Sequence, residues 1–326
     1  MTIHHENSKK SVWEKTVKVE PGVIRDILNI ALEKEALFFG PETSTANRAM
    51  IGGMVGNNSS GTNSIKYGVT RDHILEIEAF LSDGTFVVFK ELSKTEFEEK
   101  LQLQTLEGEI YQHIYKVLSD KENQKEIETQ FPKKSIHRRN TGYAVDEFLT
   151  SDLFGGNETT INPAKFLSGS EGTLVFSTAI TIQLNDLPPT QSIMVCPHFT
   201  SVNESLVATV TAMKHNLYAC ELMDNVILDC TKNNREQAKN RFFLQGDPEA
   251  VLMLEVSANT LEEAEILADN LIEDLKIKGQ PPNIRLHKLK GDRSEFWSVT
   301  IKLPWCITFK FKNGDFSEVR IENYHK

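Results

Sequence analysis

Between Gly40 and Gly61 the sequence reads Gly-Pro-Glu-Thr-Ser-Thr-Ala-Asn-Arg-Ala-Met-Ile-Gly-Gly-Met-Val-Gly-Asn-Asn-Ser-Ser-Gly. Glycine at 40, 52, 53, 56 and 61 lets the backbone reach positive φ and approach a ligand closely. The amide N–H groups of such a segment become donors to an electron-rich acceptor. Pro41, Thr43, Ser44, Thr45, Asn57, Asn58 and Ser59 surround those glycines. Their polar side chains are dense enough that a buried polar ligand need leave no group unpaired on either side. Met50, Ile51, Met54 and Val55 punctuate the run, which predicts a segment tucked under other elements. The same composition also suits an ordinary mobile surface loop.

No other local constellation offers a nucleophile and base. The chain has no G-x-S-x-G, H-E-x-x-H or Walker loop, so no catalytic residue is assigned. His73, His113, His137, His198, His215 and His287 stand apart from one another, and Cys196, Cys220, Cys230 and Cys306 form no C-x-x-C pair. Neither a metal site nor a disulfide framework follows. The thiols read as reduced, in a cytoplasmic protein.

The elements that must position the glycine-rich stretch show in the periodicity. Thr16 to Glu20 alternates as a strand, and Pro21-Gly22 precedes a helical pattern with Val23, Ile24, Ile27, Leu28 and Ala31 on one face. Residues 74 to 81 alternate, with Leu75, Ile77, Ala79 and Leu81 opposed to Glu76 and Glu78. Asp83-Gly84 then turns the chain into a return strand, Thr85 to Phe89. Residues 95 to 131 read as helical, with Phe97, Leu101, Ile110, Ile114 and Val117 as an inner stripe and a solvated charged face. From 174 a long strand places Leu174, Phe176, Ile180, Ile182 and Leu184 together.

Pro188-Pro189 marks a domain boundary, giving domains 1 to 187 and 188 to 326. Beyond it come strand 192 to 199, helix 201 to 216, strand 218 to 223, helix 225 to 240, strand 251 to 257 and helix 260 to 277. Ser201-x-x-Glu204 and Thr260-x-x-Glu263 are capping-box signatures for two helix starts. The fold class expected is α+β. Residues 1 to 12 are polar and expected to fray.

Composition narrows the partners. The 326 residues are 39% hydrophobic and 25% charged, with 46 acidic against 36 basic side chains and a net charge of -10. An acidic chain whose longest basic runs are Lys133-Lys134 and Arg138-Arg139 lacks the patch that a nucleic acid requires. No apolar run reaches the ~18 residues of a membrane span, and the first residues do not form a signal peptide.

The run from Pro41 to Gly61 resembles the flavin loop of the FAD-linked oxidases of the vanillyl-alcohol-oxidase, or PCMH-type, family. Within it the likeness is to the D-lactate, glycolate and D-2-hydroxyglutarate dehydrogenases. Leu167-Ser-Gly-Ser-Glu-Gly-Thr-Leu174 resembles a second FAD-contacting segment, and His137-Arg-Arg-Asn-Thr-Gly-Tyr143 the segment between them. The resemblance implies FAD as cofactor, with the backbone at Ile51, Gly52, Gly53 and Met54 facing flavin and pyrophosphate. Pro41, Thr43, Ser44, Thr45, Asn57, Asn58 and Gly61 complete the loop, and Gly169, Glu171, Gly172 and Thr173 approach from the second motif. Arg138, Arg139, Asn140 and Tyr143 would lie at the flavin edge, where a 2-hydroxy acid carboxylate calls for a cation. A surface pair meeting acidic helices suits the two arginines equally.

Relatives begin with a subdomain carrying an Arg-Gly-Gly-Gly-Thr type turn, which residues 1 to 15 do not resemble, and the likeness fades near Phe296-Trp297. The expected architecture is therefore an incomplete PCMH-type domain followed by part of a ferredoxin-like substrate domain. Two functions are consistent with it. One is an FAD-dependent oxidoreductase that converts D-lactate, glycolate or D-2-hydroxyglutarate to the 2-oxo acid and passes electrons to a separate acceptor. The other is a catalytically incomplete flavin-domain fragment that folds, or binds a complementing polypeptide, without turnover. The second reading expects poor FAD retention, with Met50, Ile51, Met54 and Val55 exposed and promoting self-association.

Overall fold

The computed structural model describes residues 15–140 and 142–276, together with the backbone of residues 2–4, 284–288, 296–302, 305–312 and 315–323. The chain divides into two compact units, Met1–Leu187 and Pro188–Lys326. Both mix helices with antiparallel sheet, and the fold is α+β.

The first unit opens with β1 (Thr2–His4), β2 (Thr16–Val19), α1 (Arg25–Leu32) and β3 (Leu37–Phe38). Thr2–His4 pairs with β2, whereas the rest of the stretch expected to fray lies outside the described residues. Next come α2 (Ile51–Asn57), α3 (Ser64–Tyr67), a 3-10 turn at Thr70–His73, and the hairpin β4 (Ile74–Phe80) and β5 (Phe86–Lys90). Gly84 turns the hairpin at φ 83°, and the Asp83 carboxylate accepts from the Thr85 amide at 2.9 Å and hydroxyl at 2.8 Å. β6 (Leu92–Ser93), α4 (Lys94–Lys100), α5 (Leu106–Ser119) and α6 (Lys121–Gln130) lead to β7 (Thr160–Ile161), α7 (Pro163–Leu167), β8 (Phe176–Gln183) and β9 (Asn185–Asp186).

The main sheet runs β1-β2-β8-β4-β5. Register sets Val17 opposite Ile182 and Ile77 opposite Ile180, and these pack with Leu28, Leu32, Ile51 and Met54 in one core. Phe97, Tyr111, Leu118, Phe148 and Phe154 form a second core under the charged helices.

Three expectations are corrected here. The glycine-rich stretch contains a helix, α2, because Ile51, Met54 and Val55 at i, i+3 and i+4 are buried. Burying each contributes about 1.5–3 kcal/mol, which exceeds the ~1 kcal/mol per residue that Gly52, Gly53 and Gly56 cost a helix. Of the four residues expected to be exposed, only Met50 is; Ile51, Met54 and Val55 lie in the core. Second, α1 buries Leu28 and Leu32 and leaves Ile27 59% exposed, because the helix starts only at Arg25 and Ile24 lies outside it in a bridge to Met50. Third, Phe176 is 73% exposed. The β4–β8 register shifts between Glu78 and Ala79, and a shift of that kind breaks the alternation of faces.

The second unit contains β10 (Gln191–Cys196), β11 (His198–Phe199), α8 (Val202–Ala212), β12 (Ala219–Asp224), α9 (Asn225–Lys232), β13 (Ala250–Ala258) and α10 (Leu261–Leu275). It continues with β14 (Ile284–Lys288), β15 (Phe296–Lys302), β16 (Trp305–Lys312) and β17 (Asp315–Asn323). Its sheet runs β11-β13-β10-β14-β15-β16-β17, with β12 also on β13. The side chains of Ser201 and Thr260 accept from the amides of Glu204 and Glu263, each at 3.2 Å, so both helix starts form as read. The reciprocal box closes only at Thr260, whose amide donates to Glu263 Oε2 at 3.3 Å, whereas Glu204 Oε2 accepts from the Thr200 amide at 3.1 Å. Helix α9 stops at Lys232, short of residue 240, because the Asn234 side chain captures the Glu236 and Gln237 amides at 3.0 and 3.2 Å and competes with the helix. Residue 277, the expected end of the last helix, lies outside the described residues.

Candidate functional site

The three motifs meet at the C-terminal end of α2. The Gly169 amide donates to the Val55 carbonyl and the Glu171 amide to the Gly56 carbonyl, both at 2.9 Å. The second motif is thereby pinned to carbonyls of the last turn of α2, of which that of Val55 also accepts from the Asn58 amide at 3.1 Å. Asn57 Nδ2 donates to Glu171 Oε1 at 3.0 Å. Asn58, fully buried and left-handed at φ 51°, ends α2; its Nδ2 donates to Asn140 Oδ1 at 3.0 Å. The Tyr143 hydroxyl lies 2.7 Å from Thr173 Oγ1, which donates in turn to the Ser170 carbonyl at 2.6 Å. Thr141, inside the middle motif, lies outside the described residues.

The individual positions differ in what they leave open. The amides of Ile51 and Gly52 are taken by the carbonyls of Val23 and Pro21, at 2.9 and 2.8 Å. A Cβ on Gly52 would stand 2.6 Å from Pro21 Cβ, so that glycine serves packing. At Gly53, Gly142 and Gly172 an added Cβ would meet nothing within 4 Å, and all three are exposed beside exposed Asn57, Glu171, Thr173 and Tyr143. This flank is open and lined by polar side chains. Pro41 is buried, with its carbonyl accepting from Arg25 Nε at 3.2 Å, and Thr43 and Thr45 face each other across 3.3 Å beside exposed Ser44. Gly61 closes the loop against Glu42, where a Cβ would come within 2.9 Å of the backbone.

The arginine pair divides. Arg139 lies 2.5 Å from both Asp146 and Glu147. Burial alone lowers its pKa, but hydrogen bonds and charge from those two carboxylates more than offset this and raise it. Arg138 is exposed and donates from Nε to Ser60 Oγ at 3.2 Å. A cavity of about 210 Å³ lies alongside, walled by Arg71, Asp72, His137, Arg139, Asp146 and Glu147 among others.

Arg71 escaped the sequence reading. It is 4% exposed, and only a charge at the foot of an alternating strand hinted at it. Burial lowers its pKa, against the opposing charges of Glu147 and Asp146.

Among the described residues, no group of three or more His, Cys, Asp or Glu is placed to hold a metal ion, and no helix is long and apolar enough to cross a membrane. Burial pushes the Cys196 thiol up to about 12.

Residues 4–90 match the model of an FAD binding domain. The chain is 33% identical over 220 residues to D-2-hydroxyglutarate dehydrogenase of Pseudomonas putida, which covers 67% of this chain and 21% of that protein. It is 22% identical over 287 residues to glycolate oxidase subunit GlcD of Escherichia coli, covering 86% of this chain and 43% of that one. A separate, short likeness of 41 residues is 51% identical to endoribonuclease HigB of Proteus vulgaris, covering 13% of this chain and 45% of that protein. The chain thus spans about a fifth of the length of the dehydrogenase it matches. With the FAD binding domain match and these dehydrogenase and oxidase relatives, the chain is consistent with the PCMH-type FAD-linked oxidase family, and FAD is the cofactor they support.

Proposed function

We propose that the first unit holds FAD in a flavoprotein that oxidises a D-2-hydroxy acid to the 2-oxo acid, with a separate electron acceptor. The convergence of the three motifs on one open flank carries this reading, above all the bonds from Gly169 and Glu171 to the end of α2. When bound, FAD supplies the acceptor for the two electrons removed from the C2 alcohol. The chain orients it: Gly53 and Gly172 offer backbone without a side chain in the way, and Asn57, Thr173 and Tyr143 line the same flank. Arg139 is neutralised by Asp146 and Glu147. Arg138 is therefore the motif's cation for the substrate carboxylate, where a charge-assisted bond fixes orientation.

The test is visible flavin absorbance in the purified protein. An assay of D-lactate, glycolate and D-2-hydroxyglutarate with an artificial acceptor accompanies it. Bound flavin with turnover on one of them supports the reading, and protein that takes up no FAD from excess refutes it.

The endoribonuclease likeness favours a second reading for that short stretch alone, contact with RNA. Incubation of the purified protein with RNA decides it: no RNA retention would rule the contact out.

A further inference from the structure

The bonds of Arg71 connect all three motifs. Its backbone amide donates to Asn58 Oδ1 at 2.8 Å, at the residue that ends α2 and reaches Asn140. Its guanidinium turns the other way, donating from Nη2 to the Ser168 carbonyl at 2.6 Å and from Nε to the Lys165 carbonyl at 3.2 Å. Ser168 is fully buried and precedes Gly169, whose φ of 94° starts the second motif. A Cβ on Gly169 would sit 3.1 Å from Arg71 Nη2. The guanidinium therefore occupies the space under that turn and sets how closely it approaches.

We propose that Arg71 is a positioning residue, which holds residues 168 to 173 against the end of α2 so that both segments face one flavin. The planar fork is the required chemistry. It reaches two carbonyls on successive turns of one segment, whereas a lysine presents a single point of charge and satisfies only one of them in that geometry. A carbonyl left without its donor in a buried site carries a desolvation cost, and the segment can relieve it only by moving away from α2. The identity of the ligand rests on the FAD reading; the positioning geometry does not.

Two readouts on Arg71→Lys separate these claims. The first is hydrogen exchange in the segment holding Gly169 and Glu171, and the second is FAD affinity by fluorescence titration. Leu28→Ala, a cavity in the same core away from Arg71, serves as the control for general destabilisation. Arg71→Lys should speed exchange over residues 168 to 173 at least tenfold, leave the 74 to 90 hairpin unchanged, and weaken FAD at least tenfold. Leu28→Ala should show no such selectivity. Arg71→Met, which removes every side-chain donor, should act in the same direction and more strongly. Exchange over 168 to 173 within twofold of wild type in Arg71→Lys would overturn the proposal, as would unchanged FAD affinity. If the wild type takes up no FAD, the flavin reading falls and the exchange result alone decides whether Arg71 positions the segment.

Discussion

Asn57 Nδ2 donates to Glu171 Oε1 across 3.0 Å, joining residues 114 positions apart on the exposed flank where two glycine motifs meet. One rung lower, the Glu171 amide donates to the Gly56 carbonyl while Glu171 itself sits at φ 53°. A non-glycine residue in the left-handed region is disfavoured by roughly 1–2 kcal/mol, so the neighbouring bonds must hold it there. The flank is a constructed surface.

Asn58 is the buried joint of that construction. Asn58→Ala removes the acceptor for the Arg71 amide and the donor to Asn140, and leaves alanine at φ 51°. An unsatisfied buried amide costs about 1–3 kcal/mol and the backbone about 1–2 more. Asn58→Gly should recover the backbone part. Urea unfolding of the three proteins checks the order, wild type above Asn58→Gly above Asn58→Ala.

The two adjacent glycines of α2 should part company. Gly52→Ala drives a Cβ to 2.6 Å from Pro21 Cβ, an overpacking worth about 1–3 kcal/mol of destabilisation. Gly53→Ala meets open space and should be neutral or gain up to ~1 kcal/mol of helix propensity. Melting temperatures of the pair measure this directly; equal losses would show that Gly53 is packed after all.

The second unit should lose stability on acidification. His198 is buried, with Nδ1 2.9 Å from the Cys196 carbonyl and Nε2 accepting from the Gln245 amide at 3.1 Å. Burial lowers its pKa more than the Cys196 carbonyl raises it. The unfolded chain therefore takes up the proton first, and stability falls as pH drops below the ordinary histidine value of about 6.5. A His198→Gln variant should show a flatter loss between pH 7 and pH 5.5; an unchanged slope would assign the acid sensitivity elsewhere.

Much of this is legible in the sequence. The Asp83-Gly84 turn and the Ser201 and Thr260 caps show in the sequence because their bonds are made within a few residues, as do the family and its cofactor through their local motifs. What stayed hidden depends on partners distant in sequence. Helix α2 inside a glycine run exists because Ile51, Met54 and Val55 find a core. The pairing of Arg139 with Asp146 and Glu147 needs a fold of the intervening chain that no periodicity announces. Phe176 reached solvent because a register shift between β4 and β8 changed the alternation, and Arg71 acts through carbonyls, which every residue carries.

The central claim is that the flank where Gly53 and Gly172 lie open holds FAD, and a titration of FAD fluorescence against wild type and Gly53→Val tests it most directly. A β-branched side chain there would fill the space the ligand needs, and its Cβ would meet no protein atom within 4 Å. The account predicts saturable, one-to-one binding by wild type, and at least tenfold weaker binding by the variant with no loss of the hairpin fold. Equal affinities, or no FAD binding by the wild type, would contradict it.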